Sequence, residues 1–501
     1  MISVKSMRIL ETNCEALGLS TLQLMENAGK AIRDEIISRF NNIENKKVYI
    51  FIGHGGKGGD GAVAARHLAA DGADITVYIV GENKHKDAII NISLLEEMDY
   101  SVKLISINEP TEIRPVEGDI IIDALLGIGF RGRPREPLRS IIRIINQSKG
   151  FKISIDVPSG VDADTGEVYN DDYVKPDLVI TLHDIKPGLL KHNFPVVIKK
   201  IGIPKEAEIY VGPGDVIYNI RKRPITAKKG DFGRLLVIGG SYTYSGAPAL
   251  ASLAALRTGV DLVYTAAPED TAKIIASYSP ALITIKTRGR YFTEENIEEI
   301  KPWISKVDAI LIGPGMGLEE GTIRFVRSII DYIISLEKPV VIDADALKAI
   351  KGSRLYKKAV LTPHAGEFYI YTGEKVPEDP KERINIVVRK AKEYNTIIVL
   401  KGYFDVISNG EEFKLNKTGN PAMTVGGTGD TLSGIIAALI SQKIEPYIAA
   451  YLGCFINGLA GSLAYQEKGE RLLPTDVIEK IPLVLKDPMD AFKKKVYKRV
   501  M

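Results

Sequence analysis

The chain predicts two successive α/β domains, each a parallel sheet wound with helices on both faces, and three observations carry that expectation. Its 501 residues exceed what one ordinary core holds. Short β-branched runs recur along it with helical stretches between them, the pattern of a sheet buried on both faces. Glycine-rich turns stand where several of those runs give way to helices.

Apolar residues at Leu24, Ala28, Ile32 and Ile36 recur every four positions, which places them on one helical face before the first strand. Strands are then expected at V-Y-I-F-I-G from Val48, I-T-V-Y-I-V from Ile75, D-I-I-I-D from Asp119, K-I-S-I-D from Lys152 and L-V-I-T-L from Leu178. After Val211 the pattern breaks into G-P-G-D, Arg221 to Arg223 and Pro224, followed by Lys228 and Lys229. The domains are therefore expected at 1–212 and 225–501, joined by a linker at 213–224. A second strand series follows with L-L-V-I-G-G from Leu235, D-L-V-Y-T-A-A, D-A-I-L-I-G-P-G, P-V-V-I-D-A-D-A and T-I-I-V-L-K-G. The halves share architecture without a repeated motif, so they read as different domains in one chain.

Composition narrows the function. Apolar residues make up 45% and charged residues 26%, the balance of a globular protein. A net charge of +3, from 66 basic and 63 acidic side chains, supports neither nucleic acid nor membrane as a partner. The basic end, Lys493 to Lys495 with Lys498 and Arg499, reads as a solvated tail. Cys14 and Cys454 are too far apart in sequence to suggest a disulfide framework or zinc spacing. With no apolar signal core after Met1 and no uninterrupted apolar run of about 18 residues, a cytoplasmic protein is expected. A homo-oligomer is the expected assembly.

Residues 53–61, G-H-G-G-K-G-G-D-G, follow an expected strand and precede the helix A-V-A-A-R-H-L, where free backbone N–H groups meet anions. Tight strand-to-helix packing would explain the glycines equally well. Two further segments belong at strand ends, where open parallel sheets bind ligands: D-A-L-L-G-I-G-F-R-G at 123–132 and D-V-P-S-G-V-D-A-D-T-G at 156–166. Their aspartates either surround a polar ligand or serve turns and helix caps.

Together with L-M-E-N-A-G at 24–29, these segments resemble the NAD(P)H-hydrate epimerase family over residues 1–212, which implies a Rossmann-like doubly wound domain. The resemblance implies hydrate binding by Gly56, Lys57, Gly58, Gly59 and Asp60, by Gly127, Ile128, Gly129, Phe130, Arg131, Gly132 and Arg133, and by Asp156. Asp156 would be catalytic, exchanging protons as hydroxyl leaves the ring carbon and water returns on the other face. Asp123 and Ser159 correspond to ligands of a potassium ion. Here the chain departs from the family loop, G-N-N-G-G-D-G, because Gly56 and Lys57 replace the two asparagines, the second of which is normally the third potassium ligand. The Lys57 ammonium either takes the cation site itself or points to solvent or a phosphate.

In the second half, G-G-T-G-D at 426–430 leads into the apolar stretch T-L-S-G-I-I-A-A-L-I. Asp430 alone would be an N-cap, but the preceding small residues suit an anion hole for a transferring phosphoryl group. The segment resembles the ribokinase-like superfamily. K-G-D-F-G-R-L-L-V-I-G-G-S at 229–241, G-A-P-A-L at 246–250, T-P-H-A-G-E-F at 362–368 and G-N-P-A-M-T-V-G-G-T-G-D look, within it, like the NAD(P)H-hydrate dehydratases. This implies hydrate contacts at Ala247, Gly317, His364 and Asp430, nucleotide contacts at Lys401, Gly402, Tyr403, Phe404, Asp405 and Gly429, and Asp430 as the catalytic base. Magnesium and ADP, in preference to ATP, are the implied cofactors. The rival reading is a vitamin-precursor kinase fused to a non-catalytic Rossmann-like binding module, against which the G-A-P-A-L and P-H-A-G-E segments and the intact Asp123, Asp156 and Ser159 argue.

Overall fold

The computed structural model describes residues 1–495, so Lys498 and Arg499 lie outside the described residues. Contacts divide the chain into two compact units, Met1–Lys205 and Glu206 onward.

The first unit is built on seven parallel strands: β1 (Lys47–Ile52), β2 (Asp74–Val80), β3 (Val102–Ile107), β4 (Glu117–Ala124), β5 (Lys149–Ile155), β6 (Leu178–Leu182) and β7 (Val196–Lys199). Their order is β3-β2-β1-β4-β5-β6-β7. Sequence order reverses between β1 and β4, where Phe51 lies opposite Asp123, so a crevice opens at the carboxyl ends of these strands. Two helices precede the sheet, α1 (Val4–Leu17) and α2 (Thr21–Phe40). Ser20 caps α2 in a reciprocal box with Gln23, and Leu24, Ala28, Ile32 and Ile36 are buried along its inner face as their spacing predicts. The helix α3 (Gly56–Ala70) follows β1 directly.

The second unit carries β8 (Arg234–Ile238), β9 (Leu262–Pro268), β10 (Ile283–Thr287), β11 (Ala309–Ile312), β12 (Val340–Ile342), β13 (Ala359–Leu361), β14 (Ile397–Leu400), β15 (Asp405–Ser408) and β16 (Phe413–Asn416). The order is β10-β9-β8-β11-β12-β13-β14-β15-β16, parallel as far as β14 and closed by an antiparallel hairpin. Apolar clusters cover both faces, one holding Leu235, Val237 and Leu311, the other Leu236, Ile238 and Ile310. Alternate residues of one strand thus feed opposite cores. The helix Pro446–Lys468 is long and apolar enough to cross a membrane by length and composition, although Asn457 and Ser462 interrupt its apolar run, and it packs inside this unit with Leu452, Phe455 and Ile456 buried.

The expected linker at 213–224 is corrected. Gly212 and Pro213 open a helix, Pro213–Asn219, in which Asp215 Oδ2 accepts from Gly212 N at 2.9 Å. Proline at the first helical position loses no hydrogen bond, so G-P-G-D is a helix start rather than a hinge. Val211 and Val216 belong to the second unit's core, and Val211 N donates to Leu415 O at 2.9 Å.

Candidate active sites

At the switch point of the first unit, Gly55 caps α3 without a side-chain acceptor, leaving first-turn amides for a ligand. Lys57, in that turn, is 5% exposed. Its Nζ donates among four oxygens: Val157 O at 2.8 Å, Asp123 Oδ2 at 3.0 Å, Ser159 Oγ at 3.1 Å and Leu126 O at 3.2 Å. Asp123 is also met by Ser154 Oγ and Ser159 N, each at 2.8 Å. Burial pulls Lys57 below its ordinary range, and Asp123 opposes that pull.

Asp156 follows β5 in a left-handed conformation, φ 61°. Such a backbone costs a non-glycine residue about 1 kcal/mol and persists where its surroundings fix it. Here Asp156 Oδ1 accepts from Leu182 N at 2.9 Å and Thr181 Oγ1 at 3.2 Å, and it pairs with the buried Lys186 ammonium. Lys186 in turn donates to Leu182 O at 2.7 Å. A cavity of about 530 Å³ is bordered by Gly56, Lys57, Asp60, Gly127–Phe130 and Asp156, and by Arg8 and Glu11 from α1. Burial and then Asp156 push Glu11 up to about 7, and burial with Asp156 and Glu11 drives Asp60 well above the carboxylate range.

In the second unit, Lys401 leaves the end of β14 and Asp343 the end of β12. Lys401 Nζ lies 3.3 Å from Asp343 Oδ1 and 3.9 Å from Glu367 Oε2. Burial alone would lower it, but those two carboxylates hold it above its ordinary range. The helix Thr428–Ser441 starts on Gly427, whose φ of 102° admits the sharp entry, and no side chain caps it. Thr428 Oγ1 ties the turn down to Met423 O at 2.7 Å and Val425 O at 3.0 Å. The first amides thus face a space beside Lys401 Nζ, which a Cβ on Gly429 would approach to 3.3 Å. His364, Lys401, Gly402, Tyr403, Asp405 and Gly429 border a cavity of about 590 Å³ there. Burial, then Asp343, pushes the Asp430 carboxyl up to about 7.

Comparison with known proteins bears on both units. Residues 21–188 match the family described as YjeF-related protein N-terminus, and residues 235–483 match NAD(P)H-hydrate dehydratase. A bifunctional NAD(P)H-hydrate repair enzyme of Hyperthermus butylicus is 44% identical over 96% of this chain and 92% of its own. That of Methanothermobacter thermautotrophicus is 41% identical over 96% and 94% respectively. The chain belongs to the bifunctional NAD(P)H-hydrate repair enzymes. It is an enzyme of the α/β class, with an epimerase-type unit followed by a dehydratase-type unit. Among solved structures, the ADP/ATP-dependent NAD(P)H-hydrate dehydratase of Bacillus subtilis, co-crystallised with ATP/Mg2+, is 28% identical over 56% of this chain and 98% of that one, with a TM-score of 0.48.

Not every residue expected in the repair enzyme's sites reaches a cavity. Gly58 and Gly59 serve packing: a Cβ would fall 2.3 Å from Gly53 O in the first case and 2.4 Å from Met25 Sδ in the second. Beyond Phe130 the loop turns away at Gly132; Arg131 pairs with Asp162 at 3.1 Å and Asp164 at 2.8 Å, and Arg133 with Asp172 at 2.9 Å. Asp123 and Ser159 stand behind Lys57 rather than at the cavity wall. In the dehydratase unit Phe404 is 1% exposed in the core. Gly317 N is already donated to Asp345 Oδ2 at 3.0 Å. Ala247 lies in the first turn of the helix Gly246–Arg257, which follows β8, and neither it nor Gly317 borders the cavity at Lys401. His364 caps the helix Ala365–Thr372, its Nδ1 accepting from Gly366 N at 3.0 Å and Glu367 N at 3.2 Å, while its side chain stays 61% exposed.

The repair enzyme also carries site residues that motif reading passed over. Glu11 sits in a stretch with no glycine or strand-end signal, and Lys186 follows the strand that ends at Leu182 and precedes Pro187 and Gly188, on the far side of the sequence from the glycine loop. Asp343 and Glu367 stand inside quoted segments, P-V-V-I-D-A-D-A and P-H-A-G-E, without having been given a role. Asn420 is 1% exposed beside the second cavity, and among the described residues its Nδ2 has no partner.

Proposed function

We propose that the first unit interconverts the R and S epimers of hydrated NAD(P)H at Asp156, and that the second dehydrates the S epimer at Asp430 while converting ADP to AMP and phosphate. What supports this most directly is the meeting of Lys401, the uncapped amides of Thr428 to Asp430 and the Asp430 carboxyl at the strand ends of the second sheet. Asp430 removes the proton from the ring hydroxyl as its oxygen takes the terminal phosphoryl group. The helix amides and Lys401 meet the charge of that group; phosphate then leaves with the C–O electrons, the ring nitrogen's lone pair supports the resulting cation, and loss of a proton from the adjacent ring carbon to solvent restores the double bond of the dihydronicotinamide. The buried amide of Asn420 offers a further donor to the nucleotide.

A magnesium ion fits here. Asp343 and Glu367 supply hard oxygen donors 3.3 and 3.9 Å from Lys401 Nζ, and since among the described residues no three such side chains gather into a ready-made metal site, phosphate oxygens of the nucleotide would complete the shell. Asp343 and Glu367 would hold it together with the nucleotide's phosphates, and when bound it neutralises charge on the phosphoryl group. ADP is proposed over ATP on the one-chain fusion. Incubating the purified chain with mixed hydrate epimers and either nucleotide, while following the absorption band of reduced nicotinamide and phosphate release, tests the assignment. Nucleotide consumption without recovery of that band would favour a kinase instead.

In the first unit, Asp156 moves protons at the hydrated carbon while the α3 amides and the 127–130 loop hold the nucleotide part. Asp156→Asn is expected to lower epimerisation at least about a hundredfold and leave dehydration of pure S epimer unchanged, because the two reactions belong to separate compact units. Loss of both in a folded protein would refute the division of labour. The potassium ion of the family pattern does not fit this chain, because Lys57 Nζ occupies the ring of oxygens that Asp123 and Ser159 would offer it.

A further inference from the structure

The epimerase cavity holds a carboxyl group that no family motif accounts for. Glu11 lies on α1 one turn after Met7 and Arg8, and all three border the cavity. The helix is fixed at its start: Ser3 Oγ accepts from Ser6 N at 3.1 Å, Val4 N donates to Asp164 Oδ1 at 2.9 Å, and Ile2 N donates to Ile185 O at 2.9 Å. The residue after Ile185 is Lys186, the partner of Asp156. The same short segment therefore anchors the helix that carries Glu11 and the ammonium that pairs with Asp156. Two carboxyls reach one cavity from different elements, Asp156 from the end of β5 and Glu11 from a helix before the sheet.

We propose that Glu11 is the second acid–base group of the epimerase, acting on the face of the hydrated ring opposite Asp156. This rests on the epimerase reading above and divides between two groups the protons there assigned to Asp156. Inverting one carbon by loss and return of water needs a proton delivered to the departing hydroxyl on one face and removed from an incoming water on the other. The C–O bond breaks as Glu11 gives its proton to the hydroxyl, which leaves as water, and the ring nitrogen's lone pair supports the cation. A new C–O bond forms on the opposite face as Asp156 takes a proton from the entering water. One water leaves and one enters, nothing is oxidised or reduced, and the proton returns from Asp156 to Glu11 through solvent in the cavity. Run in reverse, the roles exchange, as conversion in both directions requires.

Glu11 is suited to the acid's part. Burial and Asp156 keep its carboxyl protonated up to about pH 7, against Lys186 and Arg8, which favour its charge. The other charged or titratable groups bordering the cavity are Asp60 and Lys57 from α3, His54 before it and His85. Asp60 is the competing acid, but it stands in the turn that meets the nucleotide and belongs to the glycine loop.

The test measures epimerisation of pure R hydrate against pH, with the thermal unfolding of the first unit as the folding control and dehydration of pure S hydrate by the separate second unit as the reference for enzyme concentration. Glu11→Gln is expected to lose about a hundredfold in epimerase kcat with KM within threefold, and with it the fall in rate above about pH 7 expected of the wild type. Glu11→Asp is expected to recover at least about tenfold of that loss. Epimerisation by Glu11→Gln within threefold of wild type, or an alkaline limb that vanishes in Asp60→Asn and survives in Glu11→Gln, overturns the proposal while the epimerase reading stands. A wild-type chain that does not epimerise at all overturns both.

Discussion

Asp430→Asn is expected to lower ADP-dependent recovery of NAD(P)H about a thousandfold while leaving the second unit folded. Asparagine keeps the volume and the polarity at this helix start but takes no proton from the ring hydroxyl. The change also has a sign for stability. With its carboxyl raised to about 7 in the folded chain, Asp430 ionises in the unfolded chain at lower pH than in the folded one. Its contribution to stability therefore falls as pH rises from about 4 to about 7 and stays at that lower level above. At pH 8 the ligand-free asparagine variant should be the more heat-resistant protein despite being nearly inactive. Wild-type kcat/KM for dehydration should decline as pH drops through about 7, since the base must be ionised in the free enzyme. Turnover by Asp430→Asn within tenfold of wild type would remove the residue from the mechanism.

Much of both sheets is legible in the sequence because their central strands are buried on two faces and read as unbroken β-branched runs. Those at Val48, Asp119, Leu235 and Ala309 correspond to β1, β4, β8 and β11, the pairs that flank the two switch points. The strands passed over lie mostly at edges or are very short. β3, β7 and β10 are outer strands with exposed positions, β13 has three residues, and β15 and β16 form the closing hairpin. The candidate sites follow the same logic. Glycine loops announce themselves because backbone approaching an anion restricts side chains, so residues 55–60 and 426–430 stand out. Lys186 reaches Asp156 across 30 positions, and Glu11 comes from a helix with ordinary amphipathic spacing, so only the folded chain brings them to the cavity. The G-P-G-D stretch misled because glycine and proline punctuate both hinges and helix starts, and which it is depends on whether Val216 has a core to enter.

Lys57→Met is expected to destabilise the first unit by about 3 kcal/mol, because it leaves Asp123 buried without its counter-charge. The hydroxyls of Ser154 and Ser159 and the amides of Leu125 and Ser159 still donate to that carboxylate, which places the loss at the lower end for a broken buried pair. The measurement is the temperature at which brief heating abolishes epimerase activity, with dehydratase inactivation of the same sample as internal reference. A loss of that size should lower the epimerase midpoint by about 6–12 °C and leave the other in place. Lys57→Asn separates charge from packing. It restores an amide oxygen beside Asp123, Ser159 and the carbonyls of Leu126 and Val157, an all-oxygen setting for a monovalent cation of the same charge as the lost ammonium. Its midpoint and epimerase rate should therefore rise in potassium over sodium, whereas the wild type should respond to neither, since an ammonium and a potassium ion in one ring of oxygens would repel. A wild-type enzyme activated severalfold by potassium, or a methionine variant as heat-resistant as its parent, would show that Lys57 does not hold the cation's place.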